Sequence, residues 1–234
     1  MALDEHFDIE IIHSNKPLVI IETDSNLHDV ITFNVTDSVL SFDFLKRITS
    51  KKRLSIKVNY TNTLKTITTK DNAEINAISP IKSNTFKINA NDASKINMYV
   101  NTTNFELTGK GKCKITLNLN CENMTVSLKD YAKLNTQINS KKSQFILYEK
   151  ANVNINGYTD TATIEANNSA TFIGKDLTTK NVIATAEISS DITLEAIDNI
   201  AIEASGNSTI SIYGNPEIAV KRLVDTSKIQ KKLR

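Results

Sequence analysis

The 234-residue sequence has no tryptophan, only three prolines and six glycines, two cysteines and three histidines. Two cysteines are too few for a disulfide scaffold or a zinc site. Cys113 and Cys121 stand eight residues apart across one alternating run. A disulfide would need a tight reversal between them, so two free thiols are expected. No run approaches the roughly 20 apolar residues of a membrane-spanning helix. Residues 1–7 lack the basic and apolar regions of a signal peptide, so export would need a signal that is not in this sequence. The net charge is only +2, with lysines scattered among 26 acids. That distribution argues against nucleic acid, whose readers carry a concentrated basic patch. The one basic cluster, residues 221–234, reads as a solvated terminus, with a polyanion or membrane-surface contact as the alternative. No phosphate-binding glycine loop and no nucleophile elbow occur, and Gly109-Lys110-Gly111 reads as a turn. No cofactor motif is present.

What the sequence has is asparagine and threonine, spread along its whole length, with an ordinary apolar content of 40%. Threonine favours strands, and asparagine favours turns because it tolerates left-handed backbone. Many short strands joined by many turns are expected.

The strands repeat. An apolar-x-apolar pair begins at Phe86 and recurs at Phe105, Met124, Phe145, Ile164, Val182, Ile200 and Ile218, at spacings of 18 to 21 residues, with an earlier unit near Leu64. A second pair lies about ten residues further into each unit, as in Ile96 and Met98, Ile115 and Leu117, Ile192 and Leu194, and Ile210 and Ile212. Leu134 and Ile155 take the first of these positions in their units, while the unit from 164 to 181 is irregular, with Phe172 early and Gly174 in the expected place. Period two within each pair means strand. Eighteen or nineteen residues leave no room for a helix or for a four-stranded propeller blade. The pattern predicts an all-β, single-stranded, right-handed parallel β-helix, in which the apolar pairs of successive coils stack into one core. A β-sandwich has no reason to keep one period.

Residues 1–63 lie outside the repeat. Alternation predicts strands near residues 7–12, 18–23, 30–35, 39–44 and 54–59, with a hairpin turn at Asp37-Ser38. This segment is expected to cap the open edge of a solenoid whose coils run from 64 to 222, and residues 223–234 to close the other end, with Ile229 as the last core residue.

The outward residue inside the second pair is Asn97, Thr116, Asn135, Asn156, Thr193 or Ser211. This predicts a ladder of small hydrogen-bonding side chains, which serves either as a solvated face or as a regular surface for a glycan. Regular Thr-x-Thr pairs are missing, which weighs against ice binding. Tyr99 and Tyr213 fall on the same face, where an aromatic beside amides suits a sugar ring.

Catalysis finds little support. His6, His13 and His28 all fall before the repeat, at spacings that suit neither a metal site nor a catalytic pair. Parallel β-helices do host polysaccharide-degrading enzymes, and glycoside hydrolysis needs two carboxylates about 5–10 Å apart. Glu106 and Glu165 share one outward phase but stand three units apart; Glu203 lies two positions on, in another unit. Glu195 and Asp198 have no phase-matched acid next door. A non-enzyme is expected.

Several segments resemble one known family. They are Asn26-Leu27-His28-Asp29-Val30; Asp37-Ser38-Val39-Leu40-Ser41-Phe42; Leu54-Ser55-Ile56-Lys57-Val58-Asn59-Tyr60; Leu64-Lys65-Thr66-Ile67; Ile210-Ser211-Ile212-Tyr213-Gly214-Asn215-Pro216-Glu217-Ile218; and Ser227-Lys228-Ile229. In this order they resemble the head domain of autotransporter adhesins, the GIN domain, widespread in Bacteroidetes. The Tyr-Gly-Asn-Pro element matches most closely. Coil turns in that family usually carry Gly-Ser-Gly, where this chain has Asn91-Asp92-Ala93, Lys129-Asp130-Tyr131 or Asn167-Asn168-Ser169, so the turns depend on Asn and Asp adopting positive φ. The resemblance implies an exported protein of the cell envelope or extracellular surface, with no catalytic residues. Two functions follow as expectations: an adhesion module for an extracellular glycan or protein, or a structural scaffold that associates with its own copies.

Overall fold

The computed structural model describes residues 1–3, 7–24, 29–45 and 54–234. His6 and the 26–28 part of the family-like segment lie outside the described residues. Among the described residues there are eighteen strands and no helix. They are β1 (Ala2–Leu3), β2 (Asp8–His13), β3 (Leu18–Thr23), β4 (Ile31–Thr36), β5 (Val39–Phe44), β6 (Leu54–Tyr60), β7 (Thr66–Thr69), β8 (Glu74–Ala77), β9 (Ile81–Ala90), β10 (Lys95–Gly109), β11 (Lys114–Leu128), β12 (Lys133–Leu147), β13 (Asn152–Asn167), β14 (Thr171–Glu187), β15 (Asp191–Ala204), β16 (Thr209–Tyr213), β17 (Glu217–Leu223) and β18 (Lys228–Lys231).

The strands wind into a parallel β-solenoid of about nine turns with coils of about 19 residues. Each residue pairs with its equivalent one coil on, as in Lys95–Lys114–Lys133–Asn152. Inward columns form the core. Ile96, Ile115, Leu134, Val153, Phe172, Ile192 and Ile210 make one buried column, and Leu107, Val126, Phe145, Ile164, Ala184 and Ile202 another. The rings of Phe145 and Phe172 meet edge to face at 5.1 Å, bridging the two walls. No single coil could bury these side chains alone, so burial depends on stacking neighbours.

The register corrects the phase of the repeat in three places. Phe145 stacks on Val126; the partner of Met124 is the buried Ser143, which keeps the coil at 19 residues where an apolar search finds 21. Val182 stacks on Ala162, a 20-residue step. Val153 takes the first inward position of its coil and Ile155 the second, and Phe172 lies in phase with Val153 and Ile192. Small inward residues at these points broke the apolar pattern without breaking the fold. The irregularity expected between 164 and 181 is present as register shifts beside Gly174.

Each long strand, such as the 15-residue β10, turns a corner without ending, and inward Thr102, Cys121, Ser140, Thr159 and Thr179 mark that bend. The second corner is a tight turn with a left-handed residue in each coil: Asp71, Asp92, Gly111, Asp130, Glu149, Asn168 (with Ser169 beside it), Ile188, Gly206 and Asp225. Asp and Asn do adopt positive φ here, as their tolerance of that region allows. Two positions later each coil up to that of Gly206 turns in a small buried side chain, from Ala73 and Ser94 through Cys113 and Ala132 to Ser190 and Ser208. Cys113 thus serves as a small core residue. Both thiols are free and buried, and desolvation pushes each up to about 11.

At the N-terminal end, β1 pairs with β7 and β2 with β8, both in parallel, so these two strands lie in register against the coil that β7 and β8 form. The chain then leaves the stack. It returns as β6, parallel to β2, and β3 lies antiparallel along the free edge of β6. An antiparallel edge strand ends the parallel stack there. Between them β4 and β5 form a separate hairpin. Its turn residues Asp37 and Ser38 both have positive φ, at 51° and 64°, the geometry that matches the twist of a two-residue hairpin loop.

Candidate functional site

The first half of β10, β11, β12 and β13 forms one flat wall, and its outward positions recur in register. Four adjacent columns project from it, the first being Lys95, Lys114, Lys133 and Asn152. The second holds Asn97, Thr116, Asn135 and Asn154; the third Tyr99, Asn118, Gln137 and Asn156; the fourth Asn101, Asn120, Asn139 and Tyr158. Nine of these twelve positions carry amides. Strand spacing separates neighbours in a column by about 4.8 Å, and alternation separates columns by roughly 6.6 Å. Among the described residues, none of the nine amides is hydrogen-bonded to another side chain. Amides at the corner behave differently: Asn123 donates to Asn104 at 2.9 Å and Asn199 to Asn181 at 2.8 Å. The wall therefore offers open donors and acceptors, whereas the corner satisfies its own.

Two shallow hollows lie on this surface. One, of about 280 Å³, is lined by Asn97, Tyr99, Thr116, Asn118, Asn135, Gln137 and Asn156 along with the backs of inward residues. The other, of about 410 Å³, sits at the corner among Asn101, Asn120, Asn139, Glu122, Lys141, Tyr158 and Asp160. Charges alternate along that corner. Lys141 donates to Glu122 at 2.8 Å and Lys180 to Asp160 at 2.7 Å. The Tyr158 hydroxyl also donates to Asp160, at 2.6 Å, which fixes the ring. Lys180, then Tyr158, holds the Asp160 carboxyl below its ordinary range.

The sequence-derived ladder is partly assembled. Asn97, Thr116 and Asn135 stack on consecutive coils. Asn156 stands one column over, beside Gln137, because Asn154 takes the ladder position once Val153 is in phase. Two coils further on, Thr193 and Ser211 rejoin the original column, but Ile173 interrupts it and Ser211 is buried. Register does not join Tyr99 to Tyr213: Tyr99 continues through Asn118, Gln137 and Asn156 to Asp176, whereas Tyr213 pairs back through Glu195 and Thr178 to Tyr158. Sequence reading missed the two neighbouring columns and Tyr158. The signal was present in Asn118-x-Asn120 and Asn135-x-Gln137-x-Asn139, which the same outward phase would have caught if each strand had been read through its corner.

The carboxylates are arranged differently from their sequence phases. Glu106 pairs with Thr125, while Glu165 falls in the next outward column, with Glu203 two coils on across Thr185. Glu165 and Glu203 lie exposed on a wall. Glu122 and Asp160 share the corner hollow, two coils apart, yet each is tied to its own lysine and Asp160 is held ionised. A glycosidase pair needs one carboxyl raised to act as acid; these form a salt-bridge ladder. Of the histidines, His13 is described: its Nε2 lies 2.8 Å from Asn62 Oδ1 and its ring meets Tyr60 edge-on. His6 and His28 lie outside the described residues. Among the described residues no cluster of three or more His, Cys, Asp or Glu could hold a metal, and no helix is long and apolar enough to cross a membrane.

The family profile described as "Putative auto-transporter adhesin, head GIN domain" matches residues 1–137 and 106–216. The chain belongs to this family. Solved structures share the GIN-domain fold. A putative adhesin from Parabacteroides merdae superposes with a TM-score of 0.72 at 18% identity, covering 99% of this chain and 90% of the other. A putative adhesin from Parabacteroides distasonis gives 0.65 at 16% identity, covering 98% and 91%. A further structure from Parabacteroides distasonis, described as a putative lipid binding protein, gives 0.53 at 19% identity, covering 98% and 88%. At these identities the likeness is one of fold. A comparison with curated proteins finds no match.

Proposed function

We propose that this GIN domain is a non-enzymatic adhesion module of the cell envelope or surface that binds an extracellular glycan across the wall of β10–β13. The observation that carries this reading is the register of the amides: open hydrogen-bonding groups in two dimensions, with Tyr99 on the β10 edge and Tyr158 on the β13 edge. Sugar hydroxyls need paired donors and acceptors on a rigid support, and an aromatic face suits the apolar side of a ring. Asn97, Thr116, Asn135 and Asn156 from the sequence-derived ladder fall inside the surface; Thr193 and Ser211 lie beyond it. In this proposal the strands within residues 1–63 and the segment 223–234 serve as the two ends that keep the stack discrete.

A glycan array on the purified protein, paired with light scattering, tests it. Glycan signal from a defined species is expected, and replacing Tyr99 and Gln137 by alanine should abolish it. Both side chains are exposed, so stability should change by no more than about 0.5 kcal/mol. No glycan signal, or a signal indifferent to both substitutions, overturns the assignment. Alternatively, the chain is a scaffold that self-associates in the envelope. A concentration-dependent oligomer without glycan signal would favour that reading.

A further inference from the structure

The hairpin β4–β5 is amphipathic beyond what its surroundings use. Pairing of Ile31 with Phe44, Phe33 with Phe42 and Val35 with Leu40 puts six apolar side chains on one face. Thr32, Asn34, Ser41 and Asp43 occupy the other. At the root the apolar face is fully used: Phe44 stacks on Phe7 at 4.2 Å, and Phe42 lies 5.8 Å from the same ring. At the tip it is not. Phe33 is 48% exposed and Val35 67%, although they continue the same stripe. Facing them, Leu18 of β3 is 52% exposed.

Between these surfaces lies an open apolar cavity of about 750 Å³, whose lining includes Leu18, Val19, Phe33, Val35, Val58 and Leu64. Its size falls within the roughly 300–1,000 Å³ of small-molecule sites, which are concave and mostly apolar. A two-stranded hairpin does not hold its shape alone in water, so an apolar tip held over a gap calls for something to fill it. Among the described residues the lining contains no Asp or Glu, and its one basic side chain is the exposed Lys65; the Met1 ammonium, also in the lining, donates to the Thr66 carbonyl.

We propose that this cavity binds an acyl chain carrying an anionic head group. The chain lies between the hairpin tip and β3–β6, and Lys65 meets the head. The site is separate from the amide wall and stands or falls independently of the glycan reading.

Titration calorimetry with decanoate and with decanol on the full chain tests it. Decanoate should bind in the micromolar range. Val35→Glu introduces a charge at an exposed position that tolerates it in the free protein, and should weaken decanoate by about tenfold or more, because the charge would be desolvated against the chain. Lys65→Glu should weaken decanoate and leave decanol unchanged. Circular dichroism should show both variants folded, and Tyr99→Ala should bind decanoate as the parent does. No decanoate binding overturns the proposal. Binding unaffected by Val35→Glu overturns it too, since the ligand would then sit elsewhere. Binding to anionic phospholipid vesicles without binding to free decanoate would indicate a membrane-surface contact instead of a pocket, and light scattering showing dimers that Val35→Glu separates would make the occupant a second copy.

Discussion

The Gly111 amide donates a 2.8 Å hydrogen bond to the Asp130 carboxylate one coil away. The same link joins Asp71 to Asp92 at 3.1 Å and Gly206 to Asp225 at 2.9 Å, each within the column of left-handed turn residues. An Asp in this position tolerates positive φ and also satisfies the amide of the turn before it. At these three turns the carboxylate fastens one coil to the next, where glycine alone would supply only conformational freedom.

Asp130 should accordingly contribute acid-sensitive stability. The Gly111 amide, donating to its carboxylate, holds it below the ordinary carboxyl range. A carboxyl depressed in the folded state stabilises above its unfolded pKa of about 3.9, and that contribution is lost as the pH falls through the lower folded value. Asp130→Asn keeps an acceptor and tolerance of positive φ but cannot ionise. Melting curves from neutral pH to pH 2 should fall less steeply on the acid side for the variant than for the parent. Parallel curves would show that this carboxylate is not one of the titrating groups.

Ile188 carries φ of 65° in the same column, where a β-branched residue is strained, and its side chain is 52% exposed. Little burial compensates for that strain. Ile188→Gly should stabilise the fold by about 1 kcal/mol, the left-handed penalty of roughly 1–2 kcal/mol less the entropy of freeing the unfolded chain. Chemical denaturation should show a higher midpoint at an unchanged slope. A lower midpoint would mean that the side chain packs more usefully than its exposure implies.

Thr136 is inward, stacked between Leu117 and Ile155, and its buried Oγ1 has no hydrogen-bond partner. The buried hydroxyls at the nearby bend satisfy one another: Ser140 donates to Thr159 at 2.9 Å and lies 2.8 Å from the Ser143 hydroxyl. Thr136→Val removes an orphan group at constant shape and should stabilise by about 1 kcal/mol. Ser140→Ala breaks a satisfied cluster and should destabilise by a similar amount. Equal effects of the two substitutions would rule out the distinction drawn between them.

The repeat period, the strand class, the hairpin turn at Asp37-Ser38 and the family were all legible in the sequence, because each rests on local alternation, turn chemistry or a short motif. Alternation also decides which side of a strand faces water, so Asn97, Thr116 and Asn135 could be assigned outward together. Register could not be settled the same way. Buried Ser143 and Ala162 occupy core positions that an apolar search passes over, and the slip at Ser143 moved Asn156 by one column. Side-chain direction has period two, so an error of two residues leaves every side chain on its proper face yet changes its neighbours. The backbone pairing of adjacent coils alone decided which amides lie together. The same is true of the N-terminal cavity: the amphipathic stripe of β4–β5 is written in the sequence, but only the docking of Phe42 and Phe44 on Phe7 determines that the root is filled and the tip held open.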